Sequence, residues 1–268
     1  MLALGLDGVV IATPSALHAE QSIAALNAGA AVFCQKPLAR TAAEVQSVLD
    51  AAQRNDRLLG VDLSYRHTAA MQAVREQVGS GALGHVFAAD LTFHNAYGPG
   101  AGWFWDPALS GGGCLIDLGV HLVDLALWMF DFPEVTSATA SLFRDGRPLQ
   151  PNEVEDYAVG TLQVATGATV RIACSWNLSA GTDAVIEAKF FGSQGGAAMR
   201  NVDGSFFDFT AERYEGRNTS TLTTPPDEWG ARAAADWVRT LAGGGRFAES
   251  TTGLLDSARA LDRLYGRS

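Results

Sequence analysis

The stretch DGVVIATPSALHAEQSIAALNAGAAVFCQ, residues 7–35, combines two short apolar runs with one helical segment. The first run ends at Thr13-Pro14 and is typical of a buried parallel strand. The helical segment that follows stops at Gly29, where a glycine favours a helix end. A second apolar run, AVFCQ, closes the stretch. Strand, helix and strand in this order indicate a parallel α/β sheet.

The same alternation continues for one more helix and one more strand. TAAEVQSVLDAAQR, residues 41–54, is a predicted helix in which Thr41 is the N-cap and Glu44 completes a capping box. LLGVDL, residues 58–63, is the third predicted strand. This part of the chain therefore follows a doubly wound pattern.

The order of elements changes after residue 64, which we take as the boundary between predicted domains 1–64 and 65–268. The predicted elements of the second domain are a helix at 67–78, a strand at 85–94, a helix at 113–129, strands near 134–143, 155–165, 168–178, 183–191 and 205–210, and helices at 227–242 and 251–265. The predicted fold class is α/β plus α+β. A truncated Rossmann-type parallel sheet precedes a mainly antiparallel, open-faced sheet with helices on one side.

GSGALG, residues 79–84, fits the G-x-G-x-x-G fingerprint of a dinucleotide-binding loop. That loop must follow a strand and open a helix, because its glycines bring a helix N-terminus to the pyrophosphate. Here a predicted helix precedes the glycines and a predicted strand follows them. GSGALG is therefore predicted to be a connecting turn.

The composition describes an acidic globular chain. Of 268 residues, 47% are apolar and 18% are charged, and the net charge is −10. No basic cluster interleaves with aromatic residues, so we expect no nucleic-acid partner.

The chain is predicted to be cytoplasmic. Its three cysteines are far apart, lack metal-ligand spacing and are expected to be buried thiols. The apolar start carries Asp7 and no basic region, which argues against a signal peptide. No apolar run is expected to approach the roughly 20 residues of a spanning helix, so no membrane association is predicted.

SGGGCLIDLGVHLVDLALWMF, residues 110–130, carries a narrow polar stripe on an otherwise apolar helix. Asp117, His121 and Asp124 are spaced i, i+4 and i+7, which places them on one face of a regular helix. Three interpretations follow: an Asp–His pair satisfied in the core, a metal site, and acid–base chemistry in which a carboxylate orients the histidine. The metal site lacks a further histidine or cysteine partner, and no metal is predicted.

Two motifs together resemble the Gfo/Idh/MocA family of NAD(P)-dependent oxidoreductases. They are DGVVIATPSALHAEQSIAALNAGAAVFCQKPLA, starting at residue 7, and GGGCLIDLGVHLVDLALW, starting at residue 111. The resemblance extends over essentially the whole chain. It implies hydride transfer between a sugar or cyclitol hydroxyl and NAD or NADP.

The resemblance also implies roles for individual residues. Lys36, in the position of the family's Glu-Lys-Pro lysine, would polarise the substrate hydroxyl. His121 would be the general base and Asp117 its partner. The implied cofactor-binding residues are Thr13, Pro14, His18, Gln35 and Lys36. The implied substrate-binding residues are Arg66, Trp103, Trp105, Asp117 and His121.

The sequence departs from the family pattern in two respects. Gln35 stands where the family has glutamate, so it brings no charge beside the lysine. The family's glycine loop lies before the DGVVIATP strand, and we expect the first half of the nucleotide-binding domain to be missing from this chain.

Three functions remain open at this point. The first is a sugar or cyclitol dehydrogenase whose sequence starts late. The second is a dinucleotide-independent lyase, dehydratase or epimerase that uses Lys36 and His121 for proton transfer. The third is a non-catalytic subunit or sugar-binding remnant. The resemblance further implies a homo-oligomer formed through the open face of the sheet.

Overall fold

The computed structural model describes residues 4–267, which form two β-sheets and their covering helices. The first sheet contains β1 (Gly8–Ile11), β2 (Ala31–Cys34) and β3 (Leu59–Val61). The second contains β4 (Val86–Asn95), β5 (Val135–Arg144), β6 (Arg147–Pro148), β7 (Tyr157–Val164), β8 (Thr169–Ser175), β9 (Ala184–Gly192), β10 (Gly196–Asn201), β11 (Phe209–Glu215) and β12 (Asn218–Thr223). The α-helices are α1 (His18–Asn27), α2 (Ala42–Arg54), α3 (Ala69–Gly79), α4 (Pro107–Ser110), α5 (Val120–Met129), α6 (Arg232–Ala242) and α7 (Gly253–Leu264).

The first sheet is parallel, in the order β1-β2-β3, and helices cover both of its faces. α1 and α2 contact each other, and the core beneath them buries Ile11 and Val32. On the other face, the ring of Trp237 in α6 packs against Phe33. A β-carbon at Gly8 would lie 2.6 Å from the Trp237 ring, so this close approach requires glycine. The helix α6 therefore covers the face of the first sheet that lies opposite α1 and α2.

The second sheet has nine strands in the order β12-β11-β10-β9-β4-β8-β7-β5-β6. Its strand pairs are antiparallel except for β4 and β8, which run parallel. The helices α3, α5 and α7 contact this sheet and share its large core. Phe87 is 50% exposed and Val159 is 41% exposed, as expected where one face of a sheet is not covered by helices. The predicted fold class is confirmed.

The turn chemistry predicted from the sequence is largely present in the structure. The Thr41 hydroxyl accepts a hydrogen bond from the Glu44 N–H at 3.2 Å and caps α2, while the Glu44 carboxylate accepts from the Arg40 N–H, one residue before the N-cap, so half of the predicted capping box is formed. GSGALG follows α3 and leads into β4, so it is a connecting turn and opens no helix. All three cysteines are free and buried.

Several predicted elements needed correction. The helix predicted at 113–129 is interrupted by a π-helical turn, Leu115–Gly119, before α5. The strand predicted near 205–210 is β11, and the helix predicted from residue 227 begins only at Arg232, beyond the helix-disfavouring Gly230. β10 and β12 were not predicted. β10 is buried at four successive positions and β12 is largely exposed, so neither shows the apolar–polar alternation of a half-buried strand.

The stretch Pro107–Met129 corrects the expectation about long apolar segments. It is 23 residues long and, by length and composition alone, apolar enough to cross a membrane. Within the protein, 89% of its apolar window is buried. That burial is typical of the core helix of a globular domain.

Candidate active site

Lys36 links the two sheets. It lies two residues after β2, at the carboxyl end of the parallel sheet, where open α/β sheets bind ligands. Its amine donates to the Asp117 carboxylate, with Nζ 2.5 Å from Oδ1, and to the Asp117 carbonyl oxygen at 2.7 Å. An ammonium group has three N–H donors, so one remains for a ligand. The side chains of Lys36 and Asp117 are 21% and 16% exposed, which leaves the pair accessible at the edge of a largely buried site.

Asp117 is held from both sides. It lies in the π-helical turn Leu115–Gly119, a type of distortion that occurs frequently at functional sites. While Oδ1 accepts from Lys36, Oδ2 accepts a hydrogen bond from the indole N–H of Trp176 at 3.1 Å. Trp176 is only 3% exposed. The orientation of the carboxylate is therefore fixed by one residue from each sheet region.

A glycine run positions the turn that carries Asp117. Glu155 is 1% exposed, and its Oε1 accepts hydrogen bonds from the N–H groups of Gly113 and Leu115 and from the Tyr265 hydroxyl. A β-carbon at Gly113 would lie 1.9 Å from the Glu155 carbonyl oxygen. Only glycine permits this contact, so the glycines that precede Asp117 serve to place the turn. Burial raises the pKa of the Glu155 carboxyl.

His121 lies near the lysine but does not pair with Asp117. Its ring packs edge-on against Tyr65, with centroids 4.8 Å apart, and lies 6.3 Å from the ring of Phe93. Burial, together with the positive charge of Lys36, lowers the pKa of His121 well below its ordinary value. Its imidazole is therefore neutral at pH 7 and can accept a proton.

The expected hydrogen bond between Asp117 and His121 is absent among the residues from 4 to 267. The sequence pattern assumed 3.6 residues per turn. The π-helical turn between the two residues changes their relative rotation, and both Asp117 oxygens already have other donors. The predicted role of Asp117 as the orienting partner of His121 therefore has no direct contact to support it.

Asp124, the third member of the polar stripe, belongs to a separate ion pair. Its two oxygens accept from the guanidinium of Arg66, one of them from Nε at 2.6 Å. The Asp124 side chain is 2% exposed, and burial raises the pKa of its carboxyl despite the Arg66 charge. Arg66 Cζ also lies 5.1 Å from the ring centroid of Phe132. The Arg66 guanidinium, predicted to shape the substrate pocket, is thus engaged by the protein itself.

The predicted cofactor-binding turn is internally bonded. His18 is 1% exposed, and its ring nitrogens lie 2.7 Å from the carbonyl oxygens of Pro37 and Thr13. The Thr13 hydroxyl donates to Gln21, and the Gln35 amide donates to Asp62 at 2.9 Å. His18 therefore ties the turn after β1 to the turn after β2. Its buried ring is not available to a ligand.

The predicted tryptophans form an aromatic layer beside Asp117. Trp105 packs edge-on against Trp176 with centroids 5.0 Å apart, and Trp103 stacks on Phe104 at 3.8 Å. Arg144 Cζ lies 4.4 Å from the Trp105 ring centroid. The Trp105 ring thus supports the indole that holds the Asp117 carboxylate.

Sequence reasoning missed Tyr65 and Trp176. Neither belongs to a motif with a recognisable spacing. Trp176 reaches the site because it directly follows β8, and Tyr65 because it follows β3. A tryptophan at the end of a strand and a tyrosine beside Arg66 are weak signals without the tertiary structure.

Within residues 4–267 no group of three His, Cys, Asp or Glu side chains is arranged to hold a metal ion. The carboxylates of Asp117 and Asp124 instead pair with Lys36 and Arg66. Their charges are therefore compensated by protein cations.

The residues present fit the nicotinamide end of a dinucleotide. The turns after β1 and β2 meet at the carboxyl edge of the parallel sheet, and Lys36 offers a free N–H there. In the described chain, no strand is followed by a glycine loop that would hold the pyrophosphate.

Two family profiles match the chain in the order expected from its two sheets. The profile described as "Oxidoreductase family, NAD-binding Rossmann fold" matches residues 2–63. The profile described as "GFO/IDH/MocA C-terminal domain" matches residues 71–198. Together they account for well over half of the chain.

Two curated relatives are 30% and 32% identical to this chain over their aligned residues. D-glucoside 3-dehydrogenase of Escherichia coli is 30% identical over 235 residues, which is 83% of this chain and 64% of the relative. Levoglucosan dehydrogenase of Pseudarthrobacter phenanthrenivorans is 32% identical over 59% of this chain and 41% of the relative. The chain thus spans less than two thirds of the length of these relatives.

Solved structures show the same fold. A levoglucosan dehydrogenase in complex with NADH and levoglucosan superimposes with a TM-score of 0.82 at 24% identity, over 99% of this chain and 78% of that one. An aldose-aldose oxidoreductase from Caulobacter crescentus in complex with glycerol gives 0.82 at 22% identity, over 97% and 76%. The two profiles, the relatives and the shared fold show that the chain belongs to the Gfo/Idh/MocA family of oxidoreductases.

Proposed function

We propose that this chain carries the substrate-binding and proton-transferring residues of an NAD(P)-dependent dehydrogenase acting on a hydroxyl of a sugar or cyclitol. The observation that carries the proposal is the contact between Lys36 of the first sheet and Asp117 of the second. It is supported by relatives named for D-glucoside, levoglucosan and inositol oxidation.

In the proposed reaction, the remaining N–H of Lys36 donates a hydrogen bond to the oxygen of the reacting hydroxyl. That bond stabilises the negative charge that develops as the hydroxyl loses its proton. Asp117 and Trp176 hold the lysine in place through the carboxylate. The neutral imidazole of His121 accepts the proton.

When bound, a dinucleotide would supply the hydride acceptor for the carbon of the same C–OH group, or the hydride donor in the reverse direction. Lys36 and the backbone of the turn that contains Thr13 and Pro14 would hold the nicotinamide end. Gln35 would support this turn region through its hydrogen bond to Asp62.

The test is an activity screen with sugars and cyclitols, using NAD⁺ and NADP⁺ in turn and following reduced nicotinamide by absorbance. The proposal expects turnover with at least one polyol, and a loss of about 100-fold or more in kcat/KM on Lys36→Met. The chain has only one other lysine, Lys189, which pairs with Glu187 in the second sheet. Lys189→Met is the matched control and should retain activity.

The dinucleotide-independent lyase or epimerase predicts a different result. Such an enzyme would convert a sugar-like substrate without added NAD⁺ or NADP⁺ and would still depend on Lys36 and His121. Turnover in the absence of dinucleotide, abolished by Lys36→Met, would replace the dehydrogenase proposal by this one.

We also propose a homo-oligomer formed through the open face of the nine-stranded sheet. Phe87 and Val159 expose apolar side chains on strands β4 and β7, which supports an interface there. The ion pair between Arg171 and Asp90 spans the same region. Sedimentation of the wild type should show more than one copy. The doubly charged variant Phe87→Asp with Val159→Lys should dissociate it, and a wild-type monomer would refute the proposal.

A cytoplasmic location is proposed on the basis of the three buried free thiols. Cell fractionation of the native host would test it directly.

A further inference from the structure

Tyr65 occupies a position between the two sheets that the proposed reaction does not use. It lies in the short 3-10 turn Ser64–His67, just beyond β3 at the carboxyl end of the parallel sheet. Ligands of open α/β sheets bind at this edge. The ring of Tyr65 meets the ring of His121 edge-on, at 4.8 Å and an interplanar angle of 75°.

The ring of Tyr65 is fixed on several sides. It packs edge-on against Phe93 at 5.6 Å and against Phe209 at 5.8 Å, and it lies 5.2 Å from the ring of Trp229. The residue as a whole is only 8% exposed. The direction of its hydroxyl is therefore set by packing and costs little entropy when a ligand binds.

The hydroxyl of Tyr65 has no protein partner in the described part of the chain. The carbonyl oxygen of Tyr65 accepts hydrogen bonds from the hydroxyl and the N–H of Thr68, and the phenolic oxygen takes part in neither. The phenolic oxygen is also absent from the buried, unpaired polar atoms of residues 4–267, so it reaches accessible space. A tyrosine with a buried ring usually finds a partner for its hydroxyl, so an open, unpaired hydroxyl beside His121 calls for a ligand.

We propose that Tyr65 is a substrate-binding residue whose hydroxyl donates a hydrogen bond to a second hydroxyl of the polyol, adjacent to the one that Lys36 and His121 act on. The inference rests on the proposed function, because it assigns a further contact to the same substrate. The ligand class is a polyol with vicinal hydroxyl groups, one for Lys36 and its neighbour for Tyr65.

The charges that face Tyr65 favour a donor role. Burial and the negative charge of Asp117 raise the pKa of the Tyr65 phenol. The phenol is therefore protonated at neutral pH, where His121 is neutral. Proton transfer remains with His121, and Tyr65 contributes binding and orientation.

The experiment compares Tyr65→Phe with wild type. Phenylalanine keeps the ring contacts to Phe93, Phe209 and Trp229 and removes only the hydroxyl. Tyr157→Phe is the matched control, because Tyr157 stacks on His94 in the second sheet, away from His121. Binding of the best polyol from the screen is measured by calorimetry without dinucleotide, and kcat/KM is measured with NAD⁺ or NADP⁺.

Tyr65→Phe should weaken polyol binding about tenfold, the effect of one neutral hydrogen bond, while Tyr157→Phe leaves it unchanged. The variant should also lose discrimination. Wild type should prefer the polyol over its deoxy analogue lacking the neighbouring hydroxyl, and Tyr65→Phe should bind the two equally.

The outcomes separate this inference from the proposed function. Polyol binding that is equal in wild type and Tyr65→Phe overturns the role of Tyr65, whether or not the enzyme turns over. Binding that falls in Tyr65→Phe, in a wild type that shows no dinucleotide-dependent turnover, supports Tyr65 and refutes hydride transfer. A wild type that shows neither polyol binding nor dinucleotide-dependent turnover refutes both. Where wild type turns over but binds no polyol without dinucleotide, an unchanged kcat/KM in Tyr65→Phe overturns the role of Tyr65.

Discussion

The amine of Lys36 and the carboxylate of Asp117 meet at 2.5 Å although the two residues are 81 positions apart in the chain. One belongs to the turn after a strand of the parallel sheet and the other to a π-helical turn packed on the nine-stranded sheet. Their contact joins the two parts of the molecule at the edge where a parallel sheet binds its ligands. The two side chains are 21% and 16% exposed, so solvent screens their attraction in part, and Asp117 keeps the hydrogen bond from Trp176 if the amine is lost.

Because of that screening, Lys36→Met should separate function from folding. We expect kcat/KM to fall about 100-fold or more and the melting temperature to change by only a few degrees. Activity and thermal unfolding are measured on the same preparations, with Lys189→Met beside them. If Lys36→Met unfolds the protein while Lys189→Met does not, the pair is structural and the catalytic assignment of Lys36 is wrong.

His121 should make the protein less stable in mild acid. Its pKa in the folded state is well below the ordinary 6.5, because burial and Lys36 oppose its charge. Below pH 6.5 the unfolded chain therefore binds a proton that the folded chain does not, and the free energy of unfolding falls as the pH falls. The loss is about 1.4 kcal/mol per pH unit until the folded pKa is reached.

Urea unfolding between pH 5 and pH 7.5 measures this slope. His121→Gln removes this imidazole and should reduce the slope, while His94, whose pKa burial also lowers, keeps its own contribution. His85→Gln, at an exposed position, should leave the slope unchanged. The same slope in wild type and His121→Gln would show that another group titrates in this range.

How far the sequence predicts the site depends on whether a residue belongs to a local motif. Lys36, Asp117 and His121 were predicted because each lies in a short stretch with its own pattern, and in the structure Lys36 contacts Asp117 and its charge acts on His121. Trp176 was missed because it reaches Asp117 only where the π-helical turn packs against β8. No spacing in the sequence records which elements are neighbours.

The same limit applies to the fold. The strands of the first sheet were predicted from their buried apolar runs, but nothing indicated that Trp237 would cover them. That contact requires glycine at two positions of the sheet, since a β-carbon at Gly8 or at Gly60 would lie 2.6 Å from the Trp237 ring. The prediction that Asp117, His121 and Asp124 share one face of a regular helix was wrong because of the π-helical turn. An apolar pattern predicts a helix but does not distinguish a regular helix from one that contains a π turn.

Gly113→Ala should be strongly destabilising. Its β-carbon would meet the Glu155 carbonyl oxygen at 1.9 Å, and backbone on both sides must move to relieve the clash. We expect a loss of about 3 kcal/mol in the free energy of unfolding, measured with urea. Gly79→Ala is the control, since its β-carbon would have nothing within 4 Å. Equal stability of the two variants would contradict the close approach.

Trp176→Phe tests whether the indole N–H matters for more than packing. Phenylalanine keeps an aromatic ring against Trp105 but leaves Oδ2 of Asp117 without its donor. A hydrogen bond to a carboxylate contributes about 1.5–3 kcal/mol, so we expect kcat to fall at least about tenfold as the carboxylate and Lys36 lose their fixed geometry. KM should change less, because Trp176 is buried behind Asp117.

Trp237→Phe provides the reciprocal control. The buried indole nitrogen of Trp237 has no hydrogen-bond partner among the described residues, and its ring packs on the first sheet. This variant should lower the melting temperature and leave kcat near that of wild type. If Trp176→Phe instead lowers the melting temperature as much as Trp237→Phe and leaves kcat intact, then packing alone explains the tryptophan, and Asp117 needs only Lys36 to hold it.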